Sequence, residues 1–184
     1  MKGIISGLFC LLLGFNTNAQ IYFTKDGNIT FHSETPIEKI EASNDKGVSI
    51  IDFPAGKMEF SVLIKAFYFK NALMQTHFNE NYMESNKYPK AVFKGSCEAL
   101  AQIDLMKDGE HAIPVKGILR IRETEKEVNT TVNLQIAEGL IRGWTQLILH
   151  PSDFDISIPA IVRDKIAKDI TVDVTADYIL YEKS

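Results

Sequence analysis

Val128-Asn129-Thr130-Thr131-Val132-Asn133-Leu134-Gln135-Ile136, residues 128–136, is the stretch on which the fold turns. Side chains of an extended chain point to alternate faces, so Val128, Thr130, Val132, Leu134 and Ile136 line one side and Asn129, Thr131, Asn133 and Gln135 the other. One dry face and one wet face belong to an antiparallel sheet covered on a single side. Parallel sheets are buried on both faces and read as unbroken apolar runs.

The same period returns elsewhere. Residues 170–180 set Ile170, Val172, Val174, Ala176, Tyr178 and Leu180 against Thr171, Asp173, Thr175 and Asp177, and Met58, Phe60, Val62 and Ile64 alternate with Lys57, Glu59, Ser61 and Leu63. Further strands are expected at 21–24, 28–34, 47–53, 66–70, 91–98, 112–122 and 140–149, with turn chemistry between them at Lys25-Asp26-Gly27-Asn28 and Asp108-Gly109-Glu110. Several approach ten residues, against a usual length of about five or six. Long strands with one apolar face must curl to hide it, and closing the sheet also removes unpaired edges. The expected class is mainly all-β, an extended antiparallel β-barrel.

Two segments break the period. Between Asn71 and Glu84, Met74, Phe78 and Tyr82 recur every four residues behind Asn71, a good N-cap, which predicts an amphipathic helix. From Pro159 to Lys168, Ile158, Ile161, Val162 and Ile166 predict a second short helix, with proline in its first turn. Both helices would cap or flank the barrel.

The 184 residues are 45% hydrophobic and 24% charged, with a formal net charge of -4, the balance of a folded globule. That acidity supplies no concentrated basic surface for nucleic acid. Met1-Lys2, an apolar run to residue 15 and small residues before Gln20 predict a secretory signal peptide over 1–19, leaving one domain over 20–184 in the periplasm or secreted. The apolar run is shorter than the roughly 20 residues a bilayer-spanning helix needs. Phe9 before Cys10 does not suit a lipid-attachment site, so Cys97 is the single cysteine of the mature chain and reads as a small packed hydrophobe.

Leu73, Met74, His77, Phe78, Tyr82, Met83, Ser85, Tyr88, Pro89, Ala91, Phe93 and Gly95 resemble the central signature of the YceI-like family, a helix with a His-hydrophobic pair running into a Tyr-Pro and an aromatic-bearing strand. The resemblance continues through Val115, Gly117, Leu119 and Lys126 to Asp153, Phe154 and Ile156, and so covers nearly all of the mature chain. It implies a lipocalin-like barrel whose tunnel holds a long-chain isoprenoid lipid or quinone, and a protein that often forms homodimers. The chain departs from the better-known branch at Phe78–Met83, which lacks extra charged residues, and at Pro151-Ser152, where that branch tends to show Arg and a following Gly. The headgroup is left open by these departures.

Alternation alone leaves two interiors open. Val132, Val172, Val174, Ala176, Gly117 and Gly143 are small while Phe60, Phe93 and Trp144 are bulky, a mixture that suits a packed core or a narrow tunnel. The tunnel implied by the resemblance would be lined by Phe60, Val62, Phe78, Phe93, Val115, Leu119, Val132, Leu134, Trp144, Val172 and Val174, with Arg142 and Lys65 as headgroup partners. Other cations are Lys70, Arg120, Arg122, Arg163 and Lys168, of which Arg120 and Arg122 are expected to point outward. Transfer of a chain from a bilayer to such a tunnel is close to neutral, as reversible carriage and brief membrane contact require.

An enzyme has little support. No zincin motif, phosphate loop, dinucleotide glycine pattern or nucleophile elbow occurs, and His32, His77, His111 and His150 are dispersed. Neither catalytic residues, a metal nor a cofactor is expected beyond the bound lipid.

Overall fold

The computed structural model describes residues 20–182, so the expected signal peptide lies outside the described residues. Among these described residues, nine strands form one antiparallel sheet: β1 (Ile21–Glu34), β2 (Lys39–Asp52), β3 (Lys57–Leu63), β4 (Tyr68–Phe69), β5 (Lys90–Ser96), β6 (Gly109–Ile121), β7 (Thr124–Ala137), β8 (Leu140–Leu149) and β9 (Ile170–Leu180). Their order is β1-β9-β8-β7-β6-β5-β3-β2-β4, and β1 also pairs with β2, which closes eight of them into a barrel. The two-residue β4 is appended to β2 outside that ring.

The expected strands 21–24 and 28–34 are one continuous strand. The segment Lys25-Asp26-Gly27-Asn28 is a bulge and not a turn, because β2 on one side and β9 on the other hold β1 extended past it. Gly27 faces Gly47 across the bulge, and the Phe60 ring lies on the pair; a Cβ on Gly47 would stand 2.6 Å from that ring. The helical expectations are both shortened. Helix α1 covers only Ala72–His77, capped as expected by the Asn71 side chain, and then widens into a π-helical turn over Phe78–Tyr82. Asn79 Nδ2 donates to the Gln75 carbonyl, taking the acceptor that a regular helix would offer the backbone of residue 79. The second segment is a 3₁₀ turn over Ala160–Lys165, so Ile161 points outward at 90% exposure while Ile158, Val162 and Ile166 face inward.

The two ends of the barrel differ. At the lower end the ladders are continuous around β7, β8 and β9 and between β2 and β3, and a core of Ile51, Phe53, Ile113, Val115, Leu134, Ile136, Ile141 and Tyr178 fills the interior. The 3₁₀ turn Glu98–Gln102 closes this end, driving the fully buried Leu100 into the core; half-buried Cys97 packs beside it. At the upper end two seams open. The β7–β8 ladder stops at Asn133–Trp144, and the β2–β3 ladder stops at Val48–Ser61. Side chains pin each seam where the backbones part: Thr130 Oγ1 and Thr145 Oγ1 are 2.7 Å apart, and Asn44 Nδ2 donates to the Leu63 carbonyl at 2.9 Å.

Candidate functional site

Spreading the strands widens the upper barrel, and the result is a cavity of about 530 Å³ lined almost wholly by aliphatic and aromatic side chains. Its floor is the cross-strand pair Phe60–Phe93. Phe60 lies over Gly27 and Gly47, and Phe93 over Gly95 and Gly117, where a Cβ on Gly117 would meet the Phe93 ring at 2.6 Å. Only glycine lets these rings lie flat against the sheet and seal the core beneath. Tyr178 and Ser49 complete the floor, their hydroxyl oxygens 2.9 Å apart. Burial raises the Tyr178 hydroxyl above the ordinary phenol range, and the Ser49 hydrogen bond offsets part of this.

The mouth is covered by two straps. One is the segment of β4, α1 and the π turn, under which Phe31, Phe67, Phe69 and Phe78 form a cluster with ring centroids 5.0 to 5.7 Å apart. The other runs from His150 to Ile166 and contributes Phe154, Ile156, Ile158, Val162 and Ile166. Arg122 ties both together. It sits in the β6–β7 hairpin at φ +56°, a conformation strained for a non-glycine residue, and its side chain is 17% exposed. The guanidinium pairs with Glu84 and donates to the Tyr82 carbonyl at 3.5 Å and the Asp155 carbonyl at 3.2 Å, with the Tyr88 ring 5.7 Å away. Arg122 was expected to point outward like Arg120; it folds back instead because both straps offer it acceptors.

Of the expected lining residues, Phe60, Val62, Phe78, Phe93, Leu119, Val132, Val172 and Val174 border the cavity. Val115 and Leu134 do not. They have the right parity but lie lower on their strands, inside the solid core. Trp144 touches the cavity edge, yet it shares the outer face with Arg142 and Gln146 and is 36% exposed, so its ring is not the inward bulk expected. Neither headgroup candidate borders the cavity. Arg142 is on the outer face with Asp177 3.6 Å away, and exposed Lys65 donates to Asn86 Oδ1 at 2.5 Å. The cation at the rim is Lys165, 4.0 Å from Glu38, with His77 and His150 also bordering the opening.

Sequence reading missed Phe31, Phe67, Phe69, Met74, Leu147, Leu149 and the apolar residues of the second strap. For Phe31, Leu147 and Leu149 the signal was alternation along β1 and β8. For Phe67 and Phe69 the signal was alternation within the expected strand 66–70, of which only Tyr68–Phe69 is strand, Phe67 standing just after the 3₁₀ turn Ile64–Ala66. Among the described residues, no group of three or more His, Cys, Asp or Glu is placed to hold a metal ion, and no helix is long and apolar enough to cross a membrane.

The model of the YceI-like domain matches residues 13–178 of the chain. No curated protein matches it significantly in sequence. Among solved structures, the chain is similar to a polyisoprenoid-binding domain from Saccharophagus degradans implicated in plant cell wall breakdown, with TM-score 0.78, 14% identity, and coverage of 89% of this chain and 99% of the other. It is similar to Burkholderia cenocepacia BcnA, with TM-score 0.69, 15% identity and coverage of 83% and 96%. A YceI protein of Campylobacter jejuni follows the same path with TM-score 0.57, 16% identity and coverage of 77% and 85%.

Proposed function

The chain belongs to the YceI-like domain family, and from that premise we propose that it binds an isoprenoid or related single-chain lipid in its upper barrel and carries or sequesters it in the periplasm. The observation that carries this reading is the size of the apolar void. The walls are almost wholly aliphatic and aromatic and the cavity opens at its mouth, so water inside would meet few hydrogen-bonding partners and an apolar guest gains by displacing it. A polyisoprenoid-binding domain with the same fold supports the ligand class.

The rim favours a neutral headgroup. No arginine borders the cavity, and Lys165 already faces Glu38 at 4.0 Å, so a diphosphate would enter without the bidentate partners it needs. An alcohol or a quinone requires only hydrogen bonds, for which the Nε2 atoms of His77 and His150 are the candidates, their Nδ1 atoms lying 3.0 Å from Asn81 Nδ2 and from Asp169 Oδ1. The role is binding and not catalysis. Brief contact with a bilayer is part of this reading, as is the homodimer implied by the family resemblance, which light scattering checks.

Uptake tests the proposal. Purified protein incubated with phosphatidylcholine vesicles containing geranylgeraniol should carry the prenol away from them, as read by mass spectrometry of the vesicle-free fraction. Geranylgeranyl diphosphate should transfer at least tenfold less. Val174→Trp should abolish transfer while leaving the far-ultraviolet spectrum unchanged, since Val174 borders the void and the new ring fills it. Equal transfer by wild type and variant contradicts the site; no transfer by either contradicts the function.

A further inference from the structure

Resting on that reading, we propose that the mouth of the barrel docks on a phospholipid bilayer, with Ile37, Leu73 and Ile161 entering the headgroup layer so that the guest passes between bilayer and void without crossing water. The three side chains come from separate segments: the turn between β1 and β2, helix α1, and the 3₁₀ turn Ala160–Lys165. They are 64%, 63% and 90% exposed. A lone exposed aliphatic is ordinary on a protein surface. Here each stands at the opening of an apolar cavity: Leu73 borders it, and Ile37 and Ile161 adjoin Glu38 and Val162, which do. The β1–β2 hairpin and the second strap also meet directly, through Lys165 and Glu38 at 4.0 Å and through the Ala167 amide, which donates to Ser33 Oγ at 2.8 Å. The three aliphatics therefore share the rim of one opening.

What covers such a rim follows from what must pass through it. A water-insoluble chain moving from a bilayer to the void meets a barrier wherever it is exposed to water on the way. Apolar tips that sink about 5–10 Å into the headgroup and acyl boundary make the cavity lining continuous with the bilayer interior, and that barrier is removed. The charges beside the tips suit this contact. Glu34, Glu38 and Asp169 are taken by Lys39 at 3.5 Å, Lys165 at 4.0 Å and His150 at 3.0 Å. Exposed Lys70, Arg163 and Lys168 pair with no carboxylate among the described residues, and Asp164 is the one unpaired acid within 34–39, 68–77 and 159–169. Basic side chains of this kind lay their apolar stems along the inserted tips while their heads reach lipid phosphates. An anionic leaflet strengthens that attraction, so the rim fits a bilayer containing anionic phospholipid.

The test is flotation of the purified protein with phosphatidylcholine vesicles containing about 30% phosphatidylglycerol, run beside loading of geranylgeraniol added from ethanol with no vesicles present. The protein should float with the vesicles. Ile37→Asp combined with Ile161→Asp should lower its partition constant at least about tenfold, while loading from ethanol stays unchanged because neither side chain borders the cavity. Ile179→Asp, which alters an exposed aliphatic at the closed end of the barrel, should float as the wild type does. Arg163→Gln combined with Lys168→Gln should weaken flotation several fold, and the difference should vanish at about 0.5 M salt, where the charges are screened. Flotation that the aspartate pair leaves unchanged, or that Ile179→Asp abolishes, overturns the proposal. It is overturned equally if the aspartate pair splits a dimer in light scattering and leaves flotation intact, which would give the rim to a second copy of the chain. Flotation as expected with no loading from ethanol removes the lipid-binding reading and leaves the docking surface standing, whereas loading without flotation does the reverse.

Discussion

The lower and upper halves of this barrel are built from the same strands with the same alternation, yet one is solid and the other hollow. Below Phe60 and Phe93, continuous ladders draw the strands together and inward residues such as Leu134 and Ile136 meet in the centre. Above them, the ladders of β7–β8 and β2–β3 end early, two seams spread, and straps carrying Phe78 and Phe154 roof the space without filling it. Inward polarity pattern therefore sets which face is dry. Strand pairing sets whether that dry face encloses matter or room.

The largest contrast between the halves should appear on truncation. Leu134→Ala removes a fully buried side chain from a filled core and should lower unfolding free energy by about 3–4 kcal/mol, while Leu147→Ala on the cavity wall should cost about 1 kcal/mol or less. Urea denaturation of both variants checks this, and equal losses would mean that the upper half is packed as tightly as the lower.

Arg122 sharpens the comparison from the roof. Its fork reaches Glu84, Tyr82 and Asp155 at once, so Arg122→Gln should free both straps. Return of bound prenol to vesicles should quicken by about tenfold in stopped-flow measurements, with a stability loss of only about 1–2 kcal/mol. Arg122→Lys keeps the charge but not the fork and should behave nearly as the glutamine variant does.

Much of the fold could be read directly. Residues 128–136 and 170–180 alternate so regularly that face, antiparallel pairing and barrel followed, and the Asn71 cap placed the start of α1. The bulge at Gly27 escaped because turn chemistry is local, while the two strands that straighten it are contributed from residues far along the chain. The cavity was only half legible. Val115 and Leu119 share a strand, a face and an aliphatic character, and what separates core from cavity is height, fixed by where the Phe93 ring settles over Gly95 and Gly117. Arg142 was a different kind of miss: its parity opposite Ile141 and Gly143 already placed it outside.

The smallest expected effect lies at the boundary between the halves and is one of pH. Tyr178 holds its proton more tightly folded than unfolded because burial disfavours the phenolate. Its contribution is thus fully present below the ordinary phenol value of about 10 and is lost as pH rises from there through the elevated folded value. Stability measured by urea titration should fall through that alkaline window, and Tyr178→Phe should flatten the fall while costing about 1 kcal/mol at neutral pH for the lost Ser49 hydrogen bond.

The division of the barrel is tested most directly by isotope-filtered nuclear Overhauser spectroscopy on labelled protein loaded with unlabelled geranylgeraniol. Contacts from the prenol chain to the methyl groups of Val172 and Val174, and none to those of Leu134 or Ile136, are the predicted result. Contacts to Leu134 and Ile136, or contacts confined to outward side chains such as Ile148 and Ile179, would contradict a hollow upper half above a sealed floor.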